Sequence, residues 1–266
     1  MVMSEFVDKT KVFLREINAS TAKDIIIKNH YSHKWTMCSV ALGVFYKQKV
    51  ESNFFDDESE KLIGCLVYGN PVGRSAAGSI SDKMSIDQIY ELTRLFIHDG
   101  YGKNIESLSI GMSFDWLRKN RPHIKALLSY ADNEAGHAGI IYQSTNWIYQ
   151  GNSSVGLMPN FSVSLTGPEE GYNWIHSRTV FARYGSHNPY IVKSKVKRTF
   201  WRKKESNKHR YVYILPKGKE KEELIKSLKH PSLPYPKKHN HVDDIVKFDW
   251  SEKDEAALTK TDFFSS

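Results

Sequence analysis

An apolar strand that stops at polar residues is the feature that most constrains the fold of this chain. Residues 126–131 form an apolar run, and Asp132-Asn133 follow it directly. The segment from His137 to Asn146, which contains Tyr142, predicts a short helix before a further strand at 147–149. Polar residues clustered between a strand end and a helix start are typical of the crevice in which α/β proteins bind their ligands.

The other apolar patterns predict an α/β fold with a mixed sheet and helices on both faces. Apolar residues repeat at helical spacing from Ile105 to Trp116, and Arg121-Pro122 ends this helix of residues 104–120. A capping-box-like Thr21-x-x-Asp24 predicts an earlier helix. Strands are predicted at 11–17, 39–47, 61–69, 90–98 and 210–215, the last closing the sheet edge, with short strands and loops but no long helix over 152–192.

Length and charge predict one compact domain with a tail. The 266 residues allow a single domain over 1–240, and three prolines between 231 and 236 mark a boundary. From His241 onwards seven acids stand against three lysines, so this segment carries −4 and residues 1–240 carry +12 of the net +8. We expect residues 241–266 to be an acidic, flexible tail.

A basic strip at 193–210 predicts contact with nucleic acid. It holds nine Lys or Arg residues and a single acid, Glu205, interleaved with Phe200 and Trp201. Basic residues mixed with aromatics are typical of a phosphate-backbone surface, although a solvated basic hairpin is the alternative. The candidate DNA contacts are Lys195, Lys197, Arg198, Arg202, Lys203 and Lys204.

The sequence predicts a soluble cytoplasmic protein without a membrane partner. No apolar run approaches the ~20 residues that a membrane-spanning helix needs, and residues 1–5 lack the features of a signal peptide. Cys38 and Cys65 are the two cysteines, and no Cys-x-x-Cys is present. They predict buried thiols in a reducing compartment, and they cannot form a structural zinc site.

Two polar loops are candidates for cofactor and metal binding. Gly102, Lys103 and Asn104 stand at the start of the predicted helix 104–120, with Ser107 one turn later. Backbone N–H groups at the start of a helix favour phosphate binding. The alternative is that Gly100 and Gly102 only form a turn. His30 and His33 lie in a second loop, where they predict either an iron or zinc site or substrate hydrogen bonds.

Three charged or titratable side chains are candidates for catalysis. Arg94 lies within an apolar strand, so it needs a partner, either Glu91, Asp132 or a bound anion. Asp132 follows a strand end, where a carboxylate suits a general base. His137 at the start of the next helix is the alternative base.

These residues carry a resemblance to a known family. Tyr142 followed by Asn146-Trp147 resembles the GNAT acyltransferase signature, as does the order β-α-β-β-β-α-β-α-β. A set of seven short motifs along the chain is also similar to the phage Mom family, GNAT-like enzymes that form N6-(methylcarbamoyl)adenine in DNA. The shared motifs are Asn29-His30-Tyr31-Ser32-His33, Leu62-Ile63-Gly64, Glu91-Leu-Thr-Arg94-Leu95, Asn104-x-Glu106-Ser107, Ser129-Tyr-Ala-Asp132, His137-x-Gly139-x-x-Tyr142 and Asn146-Trp147-x-Tyr149-x-Gly151.

The resemblance implies a duplex DNA substrate and protection of phage DNA from host restriction. It implies active-site roles for Arg94, Ser107, Asp132 and Tyr142, and an iron site at His30-Tyr31. Tyr31 is also a candidate for stacking on the target base. The cofactors implied are acetyl-CoA or another acyl-CoA and Fe(II). Two alternatives stay open, which are an acyltransferase for a hypermodified pyrimidine, an RNA base or a protein lysine, and a non-catalytic DNA-binding anti-restriction protein.

Overall fold

The strands and helices that the apolar patterns predict are present, with shifted ends. The computed structural model describes residues 6–51, 56–71, 74–132, 136–153, 160–205, 208–237 and 244–251. The first elements are β1 (Val12–Glu16), α1 (Ala19–Asn29), β2 (Val40–Glu51), β3 (Asp56–Gly69), α2 (Arg74–Gly78), β4 (Ile89–Ile97), α3 (Ile105–Asn120), β5 (Ala126–Ala131), α4 (Ile140–Gln143) and β6 (Ile148–Asn152). The others are β7 (Phe161–Ser164), β8 (Trp174–Ile175), α5 (Ser177–Tyr184), α6 (Pro189–Val196), β9 (Phe200–Lys204), β10 (His209–Ile214), α7 (Gly218–Lys226) and β11 (Ile245–Phe248).

A seven-stranded sheet forms the centre of unit 1, the first of two compact units. Unit 1 comprises residues 1–131, 138–152 and 209–237, and unit 2 comprises residues 132–137, 153–208 and 238–266. The strand order is β1-β2-β3-β4-β5-β10-β6. β4 and β5 are parallel, and the other neighbouring strands of this sheet are antiparallel. The predicted α/β fold with a mixed sheet is therefore confirmed.

The strand β10 corrects one prediction about this sheet. It was expected to close the sheet edge, but it lies between β5 and β6 and pairs antiparallel with both. The helix α4 connects β5 to β6 in sequence while leaving a gap between them in the sheet. The late strand fills this gap, and β6 becomes the edge.

Helices cover both faces of the sheet, as the alternation along β2 requires. Val40, Leu42 and Val44 are buried in the same apolar cluster as Ile110 and Leu117 of α3. The intervening Ala41 belongs to a cluster that includes residues of α1. Because successive side chains of a strand point to opposite faces, α1 and α3 lie on opposite sides of the sheet.

Unit 2 is built on a second sheet with order β11-β9-β7-β8. Its core includes Val180 of α5, Val192 of α6 and Phe200 of β9. The prediction of short strands and loops without a long helix over 152–192 missed two short helices, because α5 and the start of α6 fall in this range. Ser177 and Pro189, two of the residues that suggested loops, begin these helices.

Helix ends account for the other differences from the predicted elements. α1 begins at Ala19 after an N-cap at Asn18, and not at Thr21. α4 spans only Ile140–Gln143, because Gly139 and Asn146 both adopt left-handed backbone angles. Among the described residues, no helix is long and apolar enough to cross a membrane.

The predicted flexible tail over 241–266 contains a strand in the structure. Within the segment 241–266, residues Ile245–Phe248 form β11, which pairs with β9. Most of the remaining segment lies outside the described residues. The chain divides into two compact units, and whether residues 1–240 fold as a single domain stays a prediction.

Candidate active site and nucleic-acid surface

The strands β4 and β5 pair over only three positions and then separate. Ile89 to Glu91 pair with Ala126 to Leu128 in parallel register, and the pairing ends there. The next carbonyl of β4, that of Leu92, accepts a hydrogen bond from the Ser129 hydroxyl at 2.9 Å. A side chain therefore satisfies the backbone group at the point where the strands separate.

A β-bulge at Thr93 bends β4 at the same place. Val67 pairs with Arg94 and Tyr68 pairs with Leu92, which leaves Thr93 without a Cα partner on β3. The Thr93 hydroxyl donates to the Val67 carbonyl at 3.1 Å. A bulge re-aims the neighbouring side chains, so it sets the direction of Arg94.

Tyr142 lies beside the separated strands and keeps its proton at neutral pH. Its side chain is buried, and its hydroxyl lies 2.8 Å from the Ser129 hydroxyl. Burial raises the pKa of Tyr142 to about 12, and Tyr31 and Glu91 add electrostatically to this increase. Two predicted site residues, Tyr142 and Tyr31, are therefore near enough for Tyr31 to disfavour ionisation of Tyr142.

The Ser129 hydroxyl lies between Tyr142 and the backbone of β4, and its single hydrogen can be donated to only one of them at a time. A serine hydroxyl has a single proton, whereas the Leu92 carbonyl can only accept. When Ser129 donates to Leu92, the Tyr142 hydroxyl is the donor in the 2.8 Å contact. When Ser129 instead donates to Tyr142, the Tyr142 O–H is free to donate its own hydrogen bond to a different acceptor, such as a substrate. The sequence placed Ser129 in a shared motif but assigned it no role, although a serine inside an apolar strand is a usable signal.

A second group of hydroxyls lies on the buried side of α3. The hydroxyls of Tyr68 and Ser113 are 2.6 Å apart, and Ser113 lies 2.6 Å from the Ile110 carbonyl. Burial raises the pKa of Tyr68, and the neighbouring Tyr142 adds to the shift. One turn before Ser113, the Ser109 hydroxyl is buried and has no hydrogen-bond partner among the residues that the structure describes. The Tyr68–Ser113 pair thus adds a second buried, neutral hydroxyl group whose tyrosine interacts electrostatically with Tyr142.

Arg94 contacts backbone carbonyls. Its Nε donates to the Lys34 carbonyl at 3.1 Å, and its Nη1 donates to the Thr93 carbonyl at 2.6 Å. These bonds use two of the five N–H donors of a guanidinium group. Arg94 is thereby fixed between the loop before β2 and the bulge of β4.

Asp132 and His137 belong to unit 2 and are joined by a backbone hydrogen bond. The His137 N–H donates to the Asp132 carbonyl at 3.0 Å. The Asp132 carboxylate lies 3.4 Å from the Lys208 ammonium group, also in unit 2. Asn133, the polar residue that follows Asp132, lies outside the described residues.

His30 and His33 are held by local hydrogen bonds. The Nδ1 atom of buried His30 accepts from the Ser32 N–H at 3.1 Å, and Nδ1 of His33 lies 2.9 Å from the Ile27 carbonyl. Within the described ranges, no group of three or more His, Cys, Asp or Glu side chains is arranged to hold a metal ion. The Fe(II) prediction therefore gains no support from the geometry of this loop.

The loop before α3 contains three residues with left-handed backbone angles. Gly100 and Gly102 have φ angles of 97° and 104°, and Asn104, the N-cap of α3, is also left-handed at 68°. A Cβ at Gly100 would meet no atom within 4 Å, so the loop is open at that point. Lys103 and Asn104 are exposed, and the Ser107 hydroxyl donates to the Asn104 carbonyl at 3.1 Å.

The basic strip divides into packed and exposed side chains. Arg202 lies 3.2 Å from the Phe161 ring centroid, and its burial lowers its pKa. Lys203 is buried 5.0 Å from the Trp174 ring centroid. These two side chains are part of the packing of unit 2. Of the six candidate DNA contacts, Lys195, Lys197, Arg198 and Lys204 are exposed.

Comparisons with known proteins agree with the sequence motifs. The Mom protein family model matches residues 11–237 of the chain. The methylcarbamoylase Mom of Escherichia phage Mu is 27% identical over 224 residues, which cover 83% of this chain and 82% of that protein.

Two solved structures also match the chain at low identity. A spermidine N-acetyltransferase from Vibrio cholerae in complex with CoA and spermine is 10% identical, covering 77% of this chain and 96% of its own, with a TM-score of 0.39. A GNAT-family acetyltransferase from Bacillus anthracis is 9% identical, covering 80% of this chain and 99% of its own, with a TM-score of 0.37.

Proposed function

Since the chain belongs to the Mom protein family and is a transferase, we propose that it modifies adenine in phage DNA. The proposed reaction transfers a carbamoyl-type acyl group to N6 and forms N6-(methylcarbamoyl)adenine, which protects the DNA from host restriction. The observation that carries this proposal is the family match over residues 11–237. The match spans the Ser129–Tyr142 hydroxyl pair and the exposed lysines of unit 2 in one chain.

The substrate determines what the site must do. Adenine N6 is a weakly nucleophilic amine stacked inside the duplex, so the base must be extruded before it can react. The N6–acyl bond then forms while the bond between the acyl carbon and its carrier breaks. N6 loses a proton, and the carrier atom gains one. A base, an acid and a group that stabilises the acyl oxygen are therefore required.

The chain has a candidate for each role. Tyr142 is the proposed acid, because burial keeps its hydroxyl protonated at neutral pH. Asp132, which directly follows β5, is the proposed base, and His137 is the alternative. Arg94 is proposed to stabilise negative charge on the acyl oxygen, since its guanidinium is fixed by two carbonyls. Exposed Tyr31 is proposed to stack on the extruded base.

An acyl-CoA fits the residues at the start of α3. Gly100 leaves open space in a left-handed loop, and the first N–H groups of a 16-residue helix follow it. Such N–H groups bind phosphate well, and Lys103 adds a positive charge. When bound, the cofactor would supply the methylcarbamoyl group as an activated ester of its thiol. Gly102, Lys103, Asn104 and Ser107 are proposed to hold its phosphates.

Nucleoside mass spectrometry tests the proposal directly. DNA from cells that express the chain should contain a modified deoxyadenosine, and the same DNA should resist restriction enzymes that cut at unmodified adenine. Tyr142→Phe should lose the product, whereas Tyr213→Phe, which removes a tyrosine hydroxyl elsewhere in unit 1, should keep it. A modified pyrimidine, a modified RNA base or an acylated lysine in place of the adenine product would overturn the proposal, as would unmodified DNA.

A further inference from the structure

The outer faces of α5 and α6 carry exposed apolar side chains. Val180 and Val192 point inward, where they are buried in the core of unit 2. On the outside, Phe181, Tyr190 and Ile191 are 55%, 74% and 43% exposed. A surface helix normally places polar residues on its solvent side. Exposed Phe181 on α5 and the exposed pair Tyr190-Ile191 on α6 therefore mark a candidate binding surface.

The charged residues within this segment of the chain are all basic, and the carboxylate next to it in sequence, Glu205, accepts hydrogen bonds from Ser162 and Ser177. Residues 171–204 contain nine Lys or Arg residues and no Asp or Glu. On α5, exposed Arg178 and Arg183 lie on either side of Phe181 in sequence. Lys195 near the end of α6 and Lys197 at its C-cap are exposed as well. Aromatic side chains within a purely basic segment are complementary to a nucleic acid.

The turn between the two helices is short and held at both ends. Gly185 ends α5 in a left-handed conformation, and its N–H donates to the Phe181 carbonyl at 2.7 Å. Asn188 caps α6 by accepting from the Tyr190 N–H at 2.9 Å. Two helices joined by a turn of four residues are typical of helix-turn-helix elements. Tyr190 therefore stands on a fixed first turn.

We propose that α5 and α6 form a duplex-reading element in which α6 enters the major groove. Tyr190 and Ile191 contact base edges, and the exposed Arg178, Arg183, Lys195 and Lys197 contact phosphates. A major groove admits one α-helix, and recognition helices contact bases with their N-terminal residues. The inference rests on the proposed DNA substrate and deepens it. It assigns to α6 the choice of the bases around the modified adenine.

A salt series with the full-length protein separates base contacts from phosphate contacts. Tyr190→Ala should weaken duplex binding on the order of tenfold at every salt concentration, with an unchanged log–log slope. The double variant Lys195→Gln/Lys197→Gln should reduce that slope by about two, because each phosphate contact contributes about 0.9. Phe6→Ala is the matched control, since Phe6 is an aromatic of unit 1 that is also 74% exposed.

The bases flanking the modified adenines give an independent measurement. Tyr190→Ala should broaden the sequences that are modified, whereas the double lysine variant should lower modification uniformly. Wild-type affinity and sequence preference in Tyr190→Ala would overturn the inference. A changed oligomeric state in sedimentation with unchanged DNA affinity would also overturn it, and would make this face a contact between copies. If these binding results hold while the wild type modifies no adenine, the proposed function fails and the reading element remains.

Discussion

The hydroxyl of Ser129 lies 2.8 Å from the hydroxyl of Tyr142, at the point where β4 and β5 stop pairing. The same Ser129 hydroxyl lies 2.9 Å from the Leu92 carbonyl, the first carbonyl of β4 beyond the paired region. One serine therefore satisfies the backbone of the opened sheet and orients the proposed acid. Any change in Ser129 is expected to alter both the packing of this region and the protonation of Tyr142.

Ser129→Ala should lower the rate of adenine modification by about tenfold and weaken the fold. The variant leaves the Leu92 carbonyl and the Tyr142 hydroxyl without this partner inside the protein, which costs on the order of 1–3 kcal/mol. Ser129→Thr keeps the hydroxyl and should restore most of the rate. Single-turnover rates and denaturant unfolding measure the two effects. A full wild-type rate in Ser129→Ala would show that Ser129 only packs.

Tyr142→Phe should reduce modification by on the order of a hundredfold while leaving duplex affinity unchanged. The ring stays in its buried position, so only the proton donor is lost, and a general acid typically contributes this much. Quantifying the modified nucleoside and DNA binding in parallel checks both expectations. If the variant melts well below the wild type and also loses DNA binding, the hydroxyl has a structural role instead.

The stability of unit 1 should fall at alkaline pH, and Tyr142 should account for part of the decrease. In the folded state its pKa is raised to about 12, whereas an exposed tyrosine ionises near 10. Between these values the unfolded chain releases a proton that the folded chain retains, so unfolding becomes more favourable as the pH rises. Denaturation midpoints at pH 9 to 11 should decrease less in Tyr142→Phe than in the wild type. Equal decreases would contradict the assignment.

The elements that sequence patterns predicted best are those whose residues act locally. The repeat from Ile105 to Trp116 and the Arg121-Pro122 stop define α3 correctly, because helical periodicity and helix ends depend on neighbouring residues. The position of β10 between β5 and β6 depends on pairing across long sequence separations. Nothing within the strand itself encodes that choice, so the sequence predicted the strand but not its place.

The residues of the candidate site differ in how clearly the sequence marks them. Asp132 stands out because it directly follows an apolar strand, and Tyr142 because of its spacing from Asn146-Trp147, and the roles of both stay predictions. Ser129 and Ser113 are small residues on buried faces, where a serine looks like an alanine until its hydrogen-bond partner is known. The division of the basic strip into packed Arg202 and exposed Lys204 likewise requires the aromatic neighbours that only the fold brings together.

Asp132→Asn should abolish most modification. Comparison with Lys208→Met should show whether the loss reflects a missing base or a broken ion pair. Asp132 lies 3.4 Å from the Lys208 ammonium group. If the carboxylate acts as the base, Asp132→Asn should lose on the order of a hundredfold in rate, while Lys208→Met loses much less. If the ion pair between Asp132 and Lys208 has only a structural role, the two variants should lose similar activity. Duplex affinity measured for both variants shows whether Lys208 also contacts phosphate.

Glu205→Gln should destabilise unit 2 and remove much of its sensitivity to acid. Burial alone would raise the pKa of the Glu205 carboxylate, but the Ser177 N–H and the hydroxyls of Ser162 and Ser177 outweigh it and lower the pKa. These three bonds are each 2.7 Å long. The two from Ser177 connect the start of α5 to the residue after β9, and the one from Ser162 connects β7 to the same carboxylate.

Because the folded-state pKa of Glu205 is depressed, its contribution is fully present above the unfolded pKa near 4.5 and is lost as the pH falls through the folded value. The wild type should therefore lose stability below pH 4.5 more steeply than Glu205→Gln, which starts on the order of 1–3 kcal/mol less stable at pH 7. Urea unfolding at pH 7, 5 and 4, with an exposed-carboxylate control such as Glu170→Gln, measures the difference. Parallel acid profiles in the wild type and Glu205→Gln would mean that this carboxylate does not hold α5 in place.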